Sequence, residues 1–270
     1  MEPFTIGLII AAIIGAAGAK GVPIILDRLK RAISGKKVCA LGPKQIGKST
    51  FLEYLSKGMV IGIDEYRSTV SSVELDGRSF VVNDKNSNQA IKIELKAMVD
   101  VGGQKANMSS EWKTRFVESD IVFYIVNAGD LMNERGNAAQ ELAKGMKLIA
   151  DWMAELGDKA KKKWVFLIGN YWNTEGDFNK FIEDRQGDYQ AKFTECQPIK
   201  DAIMTLSAAW APPTPSDDAQ DTKGGKKKLP PAISPQVAAF VGCLLSKTSI
   251  EYILLHTFRT MLNAKASGNG

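Results

Sequence analysis

Short apolar runs and longer amphipathic stretches alternate along this chain of 270 residues. Short continuous apolar runs are typical of buried strands, whereas apolar residues spaced three and four apart indicate one face of a helix. Strands are predicted at Val38–Leu41, Ser71–Leu75, Ile91–Val99, Ile121–Asn127, Trp164–Ile168 and Ala202–Leu206. Helices are predicted at Lys48–Gly58, Ala138–Leu156 and within Pro235–Ala264. This alternation predicts an α/β fold with a mostly parallel six-stranded sheet and helices on both faces.

The N-terminal segment carries no charge from Pro3 to Ala19, and its apolar character resumes at Val22 and continues to Leu26. A bilayer span needs about 20 apolar residues, so residues 1–33 are predicted to be an apolar helix that anchors the chain to a membrane. Small residues recur every four positions, a spacing that favours helix self-association; they are Gly7, Ala11, Gly15 and Ala19. Basic residues follow on one side only, which predicts that the downstream domain faces the cytoplasm. The alternative is a cytoplasmic protein whose N-terminal helix packs on a partner.

The remaining chain, residues 34–270, is predicted to be one nucleotide-binding domain with a flexible insertion at residues 211–231. That insertion is rich in Pro, Gly, Asp and Lys and holds almost no large apolar side chains. It cannot bury enough apolar surface to offset the entropy lost on ordering.

Composition excludes several kinds of chemistry. Hydrophobic residues make up 44% and charged residues 24%, which is typical of a globular domain. The net charge of +5 is mild, so no nucleic-acid partner is expected. The basic run Lys159–Lys163 is predicted to be a solvated helix end. Three separated cysteines and the single His256 indicate neither a zinc site nor a histidine-based catalytic triad.

A glycine-rich segment follows the first predicted strand and precedes the first predicted helix, and it reads Gly42-Pro43-Lys44-Gln45-Ile46-Gly47-Lys48-Ser49. It fits the phosphate-loop pattern G-x-x-x-x-G-K-[ST], in which glycines let backbone N–H groups turn towards phosphates. Lys48 is predicted to stabilise the terminal phosphates, and the Ser49 hydroxyl to ligate Mg²⁺. The alternative is a chance glycine turn. The predicted nucleotide contacts here are Gly42, Lys44, Gln45, Ile46, Gly47, Lys48, Ser49 and Thr50.

A second motif, Asp100-Val101-Gly102-Gly103-Gln104, ends an apolar strand. An acidic residue at a strand end near a phosphate loop is expected to hold Mg²⁺, which predicts a metal role for Asp100. Gly103 is predicted to bring its N–H close to the γ-phosphate, and Gln104 to orient the attacking water.

Together, these two motifs resemble those of the small Ras-like GTPases, and most closely the ADP-ribosylation-factor branch. Trp112 also resembles a tryptophan of that branch, and Leu206-Ser207-Ala208 resembles the loop that contacts the base, which implies roles for Ser207 and Ala208. The resemblance implies that Thr69 closes over the γ-phosphate and shares the metal, although Ser68 and Ser71 compete for that role. A membrane-proximal segment ahead of such a domain is similar in architecture to the β subunit of the signal recognition particle receptor.

The chain departs from this family where the base is read. The family has Asn-Lys-x-Asp, whereas this chain has Asn170-Tyr171-Trp172-Asn173. Asn170 matches, and Tyr171 can lie flat beside a purine. In the family, the aspartate carboxylate accepts from two N–H groups of guanine. Asn173 instead presents its own amide donors to that edge of the base, which places guanine specificity in doubt. Asp177 is a conceivable substitute.

The resemblance implies a Mg²⁺-dependent switch that binds GTP and GDP, hydrolyses GTP slowly, and meets protein effectors or a partner subunit at a membrane. Two alternatives stay open. One is a nucleotide-bound scaffold or assembly subunit with little or no hydrolysis, and the other is an ATPase that uses the same phosphate loop.

Overall fold

The computed structural model of the chain describes residues 31, 33–57, 73–76, 79–84, 89–100, 110–170, 186–210, 234 and 236–267. Its strands are β1 (Lys36–Leu41), β2 (Val73–Asp76), β3 (Ser79–Asp84), β4 (Gln89–Asp100), β5 (Ile121–Asn127), β6 (Trp164–Asn170) and β7 (Val237–Gly242). Its α-helices are α1 (Lys48–Lys57), α2 (Ser110–Glu118), α3 (Ala128–Met132), α4 (Ala138–Leu156), α5 (Gln186–Glu195), α6 (Gln197–Trp210) and α7 (Lys247–Ser267). A 3₁₀ helix at Gly157–Lys162 joins α4 to β6.

The strands form one seven-stranded sheet in the order β2-β4-β1-β5-β6-β7, and β3 pairs with β4 outside this path. Neighbouring strands from β4 to β7 along this order are parallel, whereas β2 and β3 run antiparallel to β4. The α/β class and the mostly parallel sheet are therefore confirmed. The predicted count of six strands is one lower than the seven described, because β3 and β7 were not predicted and one predicted strand is a helix.

One predicted strand is wrong. Ala202–Leu206 lies inside helix α6, and the last strand of the sheet is β7 instead. The reason lies in the spacing of the buried residues of α6, which are three and four positions apart as on one helix face; they are Ile199, Ala202, Leu206 and Trp210. Strand β7 had been placed within a predicted helical region, but it pairs in parallel with β6 from Val165↔Val237 to Asn170↔Gly242.

The two faces of the sheet are covered by separate apolar layers. Strand β5 is apolar without interruption because its side chains alternate between these layers. Phe123 contacts Phe51 of α1 with 4.8 Å between ring centroids, in the layer that also contains α7. Tyr124 meets Trp112 of α2 edge-to-face at 6.0 Å, in the layer that contains α4 and α6. Trp112 is fully buried and is therefore a core residue.

A buried lysine, Lys163, lies at the amino ends of the central strands. Three lysines of the basic run are exposed as predicted, but Lys163 is only 6% exposed, so the prediction of a solvated helix end is wrong there. Its ammonium donates to the carbonyl oxygens of Phe116 at 2.8 Å, Val117 at 2.9 Å and Ser119 at 2.5 Å. These carbonyls end α2, and the carbonyls at a helix end lack partners within the helix. Lys163 thus caps the helix that follows the Asp100–Gln104 motif.

Two further predictions fall partly or wholly outside the described residues. The insertion at 211–231 and most of the N-terminal segment belong there, so both stay predictions. Ile33 is described, and it is buried at 1% exposure in the core layer beside α1 and α7. Within the part of the chain that the structure describes, no helix is both long and apolar enough to cross a bilayer.

Candidate functional site

The loop between β1 and α1 has a backbone that requires glycine at two positions. Gly42 has φ of 135° and Gly47 has φ of 92°, and both values lie in a region that residues with a Cβ rarely adopt. A Cβ on Gly42 would also lie 2.2 Å from the carbonyl oxygen of Ile125. Gln45 adopts φ of 56° without being a glycine. The loop therefore turns sharply against β5 and leads directly into helix α1.

Lys48 occupies the inside of this loop. It is 6% exposed, and its ammonium donates to the carbonyl oxygens of Gly42 at 3.1 Å and Pro43 at 2.6 Å. The helix starts at the same point, since the Phe51 N–H donates to the Gly47 carbonyl oxygen at 3.0 Å. A buried cation is thus held beside the N-terminus of a helix, which has a partial positive charge of its own. Anionic ligands are favoured at such a place.

Asp100 lies at the same edge of the sheet. It is the last residue of β4, and its backbone is in register with Ala40 of β1, two residues before Gly42. The carboxyl ends of β1 and β4 therefore bring the phosphate-loop sequence and Asp100 to neighbouring positions. Ser49 belongs to the first turn of α1. Thr69, Gly103 and Gln104 lie outside the described residues, so their predicted roles stay predictions.

Asn170 joins the phosphate loop to the end of the sheet. It is the last residue of β6 and is 2% exposed. Its amide nitrogen donates to the carbonyl oxygen of Ile46 at 3.0 Å, and its amide oxygen accepts from the Leu244 N–H at 3.1 Å. One side chain thus holds together the loops that follow β1 and β7. Tyr171, Asn173 and Asp177 lie outside the described residues.

The prediction that Ser207 and Ala208 form a base-contacting loop is wrong. Both lie within helix α6, and the buried Ser207 hydroxyl accepts from the N–H of Ser234 at 3.0 Å. Ser234 lies just before β7, at the amino end of that strand. The phosphate loop lies at the opposite, carboxyl end of the parallel strands, so these residues are on the wrong side of the sheet.

The loop that does lie beside Asn170 begins at Cys243, directly after β7. Its Cys243 N–H donates to the Ser249 hydroxyl at 2.8 Å, which closes a tight connection to α7. Burial raises the pKa of the Cys243 thiol, so the thiol is neutral at physiological pH. The sequence held a signal for this loop, because the apolar run Val237–Gly242 ends in glycine shortly before a helix, and Gly42 likewise follows the first strand at the phosphate loop.

No protein-family model matches this chain, and no curated protein matches it. Among solved structures, the chain is similar to an ADP-ribosylation-factor-like GTP-binding protein, the small COPII coat GTPase of Encephalitozoon cuniculi, in complex with GDP. The sequence identity is 12%, the TM-score is 0.40, and the match covers 92% of this chain and 87% of that chain. Likeness at this level assigns no function.

Proposed function

We propose that this chain binds GTP together with Mg²⁺ at the carboxyl edge of its sheet and hydrolyses it slowly, as a molecular switch. The observation that carries the proposal is the loop from Gly42 to Lys48, with a buried ammonium inside it and a helix that starts at its end. A loop of this sequence and geometry suits the α-, β- and γ-phosphates of a nucleotide.

The chain offers two kinds of group to those phosphates. Backbone N–H groups of the loop, from Lys44 to Thr50, point donors towards an anion at the start of α1, where the helix dipole adds to their effect. The Lys48 ammonium contributes a full charge, and its carbonyl partners hold it in place before a ligand arrives. Phosphate binding therefore needs little rearrangement of the loop.

The residues near the loop fit a magnesium ion. Ser49 supplies a hydroxyl and Asp100 a carboxylate, and hard oxygen ligands such as these are what Mg²⁺ prefers. Thr69 is proposed as a further oxygen ligand. An ion held by these residues would supply positive charge to offset the negative charge that develops on the phosphates. Gln104, four residues after Asp100 in sequence, is proposed to orient the water that attacks the γ-phosphate.

The base is proposed to lie beyond Asn170, between the segment that follows β6 and the loop that begins at Cys243. Tyr171 is suited to stack on the purine, and Asn173 to contact its edge. Competition among GTP, ATP and XTP tests this reading of the base. We expect Asn173→Asp to sharpen the preference for GTP, and equal strong rejection of ATP and XTP by the parent would assign the base contact to another group.

The experiment that tests the proposed function is an inventory of nucleotide bound after gentle purification, followed by turnover of the identified triphosphate. We expect GTP or GDP in the parent, slow hydrolysis, and retained binding with most hydrolysis lost in Gln104→Leu. Bound nucleotide without any turnover would favour the scaffold alternative. Bound ADP would favour the ATPase, and no nucleotide affinity at all would refute the proposal.

Membrane association is proposed from the N-terminal segment, with protein effectors or a partner subunit acting on the cytoplasmic domain. A shortened chain should start at Arg31, because a start at Ser34 would remove the core residue Ile33. We expect the full chain to sediment with membranes and to self-associate through its small-residue stripe, and the shortened chain to stay in the supernatant. Equal solubility of both without detergent would refute the anchor.

A further inference from the structure

A cleft of about 540 Å³ lies beside the phosphate loop, and its lining residues outside that loop have no role assigned so far. Its lining includes Lys44 and Gln45 of the loop, Asn127 at the end of β5, and Arg135. The cleft therefore brings a basic side chain from a distant segment to the same space as residues that are proposed to surround the phosphates.

Arg135 is carried by a turn that hydrogen bonds hold in place. Its N–H donates to the Asp130 carbonyl oxygen at 2.8 Å, and the residues on either side have left-handed backbones, with φ of 54° at Glu134 and 59° at Gly136. A left-handed glutamate is uncommon, and such backbones persist where the surroundings hold them. Helix α3, directly before the turn, is held at its start by the Asn127 side chain, which accepts from the Asp130 N–H at 3.1 Å.

Two cations and two carboxylates line the cleft, so the formal charges of its lining residues sum to zero; they are Lys44, Arg135, Asp130 and Glu141. Lys44 and Arg135 are both exposed and can therefore reorient towards an anion that enters the cleft. The guanidinium of Arg135 makes no hydrogen bond or ion pair with any residue that the structure describes.

We propose that Arg135 contacts the terminal phosphate of the bound nucleotide from this cleft, as an arginine that the chain supplies to its own site. The inference rests on the proposed function. In the hydrolysis step a bond forms between the water oxygen and the γ-phosphorus, and the bond from that phosphorus to the β,γ-bridging oxygen breaks. The water's proton ends on the released inorganic phosphate. Arg135 stabilises the charge that develops on the oxygens during this transfer, as arginines from partners do in other GTPases.

The test compares single-turnover GTP hydrolysis by the full chain with that of Arg135→Ala, Arg135→Lys and the control Lys144→Ala. Lys144 is an exposed cation of α4 that does not line the cleft. Arg135→Ala should hydrolyse bound GTP at least about tenfold more slowly, a lower bound on the effect of about a thousandfold or more that such an arginine has on this transfer. GTP affinity should stay within about threefold, Arg135→Lys should be intermediate because it keeps the charge without the planar fork, and the control should match the parent.

A second readout is capture of GDP with aluminium fluoride, which imitates the transferring phosphoryl group. The parent and Lys144→Ala should form this complex, and Arg135→Ala should not. Hydrolysis by Arg135→Ala within twofold of an active parent would overturn the inference and leave the proposed function intact. So would a loss of GTP affinity with unchanged turnover of the bound complex. A parent that binds GTP without hydrolysing it would overturn both proposals about hydrolysis.

Discussion

Two lysines with the same exposure, 6% each, lie at opposite edges of this sheet. Lys48 lies at the carboxyl edge and Lys163 at the amino edge, and both ammonium groups donate to backbone carbonyls. The carbonyls around Lys48 belong to its own loop, five and six residues away. Those around Lys163 are 44 to 47 residues away, at the end of α2.

This difference in hydrogen-bond partners indicates different roles for the two lysines. Lys163 connects two elements that are distant in sequence, so its hydrogen bonds exist only when the fold is complete. Its cation also lies 5.1 Å from the centroid of the Phe116 ring, which adds to the same contact. The two carbonyls to which Lys48 donates belong to the loop that it is part of. We therefore expect Lys48 to matter for ligand affinity and Lys163 for stability.

The largest effect is expected for Lys48→Ala. Triphosphate affinity should fall by at least about a thousandfold, or about 4 kcal/mol, because the only buried cation described inside the loop is removed. Thermal unfolding should change less than for Lys163→Met, since the two carbonyls that Lys48 contacts are only five and six residues away in the same loop. Titration with a fluorescent GTP analogue measures the first effect, and calorimetry the second. Unchanged affinity in the folded variant would contradict the nucleotide site.

The reverse pattern is expected for Lys163→Met. Burial lowers the pKa of Lys163, so part of its favourable contact is already offset by lost hydration. Three helix-end carbonyls nevertheless lose their donor, and we expect the free energy of unfolding to fall by about 2 kcal/mol. Denaturant unfolding measures this, with the exposed Lys161→Met as the matched control. If Lys163→Met also lowered the affinity for GTP, the amino edge of the sheet would contribute to ligand binding, which would contradict the prediction.

A smaller effect that reaches both loops of the site is expected for Asn170→Asp. The carboxylate keeps its acceptor for the Leu244 N–H but loses the donor to the Ile46 carbonyl oxygen and faces that oxygen with a negative charge. We expect about a tenfold loss of GTP affinity, equal to about 1.4 kcal/mol. Gln197→Glu, an exposed amide on α6, is the control. Unchanged GTP binding by Asn170→Asp would show that the hydrogen bonds between Asn170 and the two loops do not contribute to GTP affinity.

The smallest effect is expected at His256 and concerns the pH dependence of stability. Burial, with a contribution from Arg259, lowers the pKa of His256. The unfolded chain therefore binds this proton at a higher pH than the folded chain, so stability falls as pH decreases below about 6.5. The ring centroids of His256 and Tyr252 are 4.2 Å apart, and His256→Phe keeps a ring at this place. The variant should lose less stability than the parent as the pH decreases, by a difference of less than about 1 kcal/mol. Parallel stability profiles from pH 5 to 7.5 would contradict the prediction.

The elements that the sequence predicts best are those with one clear pattern. The apolar runs of β1, β5 and β6 and the three-and-four spacing of α4 lead directly to elements that the structure contains. The phosphate loop was also recognisable, because its glycines and lysine have a chemistry that few other segments need.

The failures share a physical cause, which is that a short apolar run has the same composition in a strand and in a buried helix. Ala202–Leu206 and Val237–Gly242 are both such runs, and only their partners in the sheet and in the helical layer decide between them. The misplaced base loop at Ser207 followed from the first of these errors. Lys163 was missed because the run of lysines around it is otherwise exposed, and nothing local shows which one turns inward.

The two hydrogen bonds of the Asn170 side chain have a consequence during translation. Asn170 accepts from Leu244, which follows it by 74 residues, and donates to Ile46, which precedes it by 124. A ribosome adds 5–20 residues each second, so about 4–15 s separate the synthesis of Asn170 from that of Leu244. During that time the nascent chain already holds its phosphate loop but lacks the second loop. The proposed nucleotide site is therefore incomplete until most of the chain has been translated.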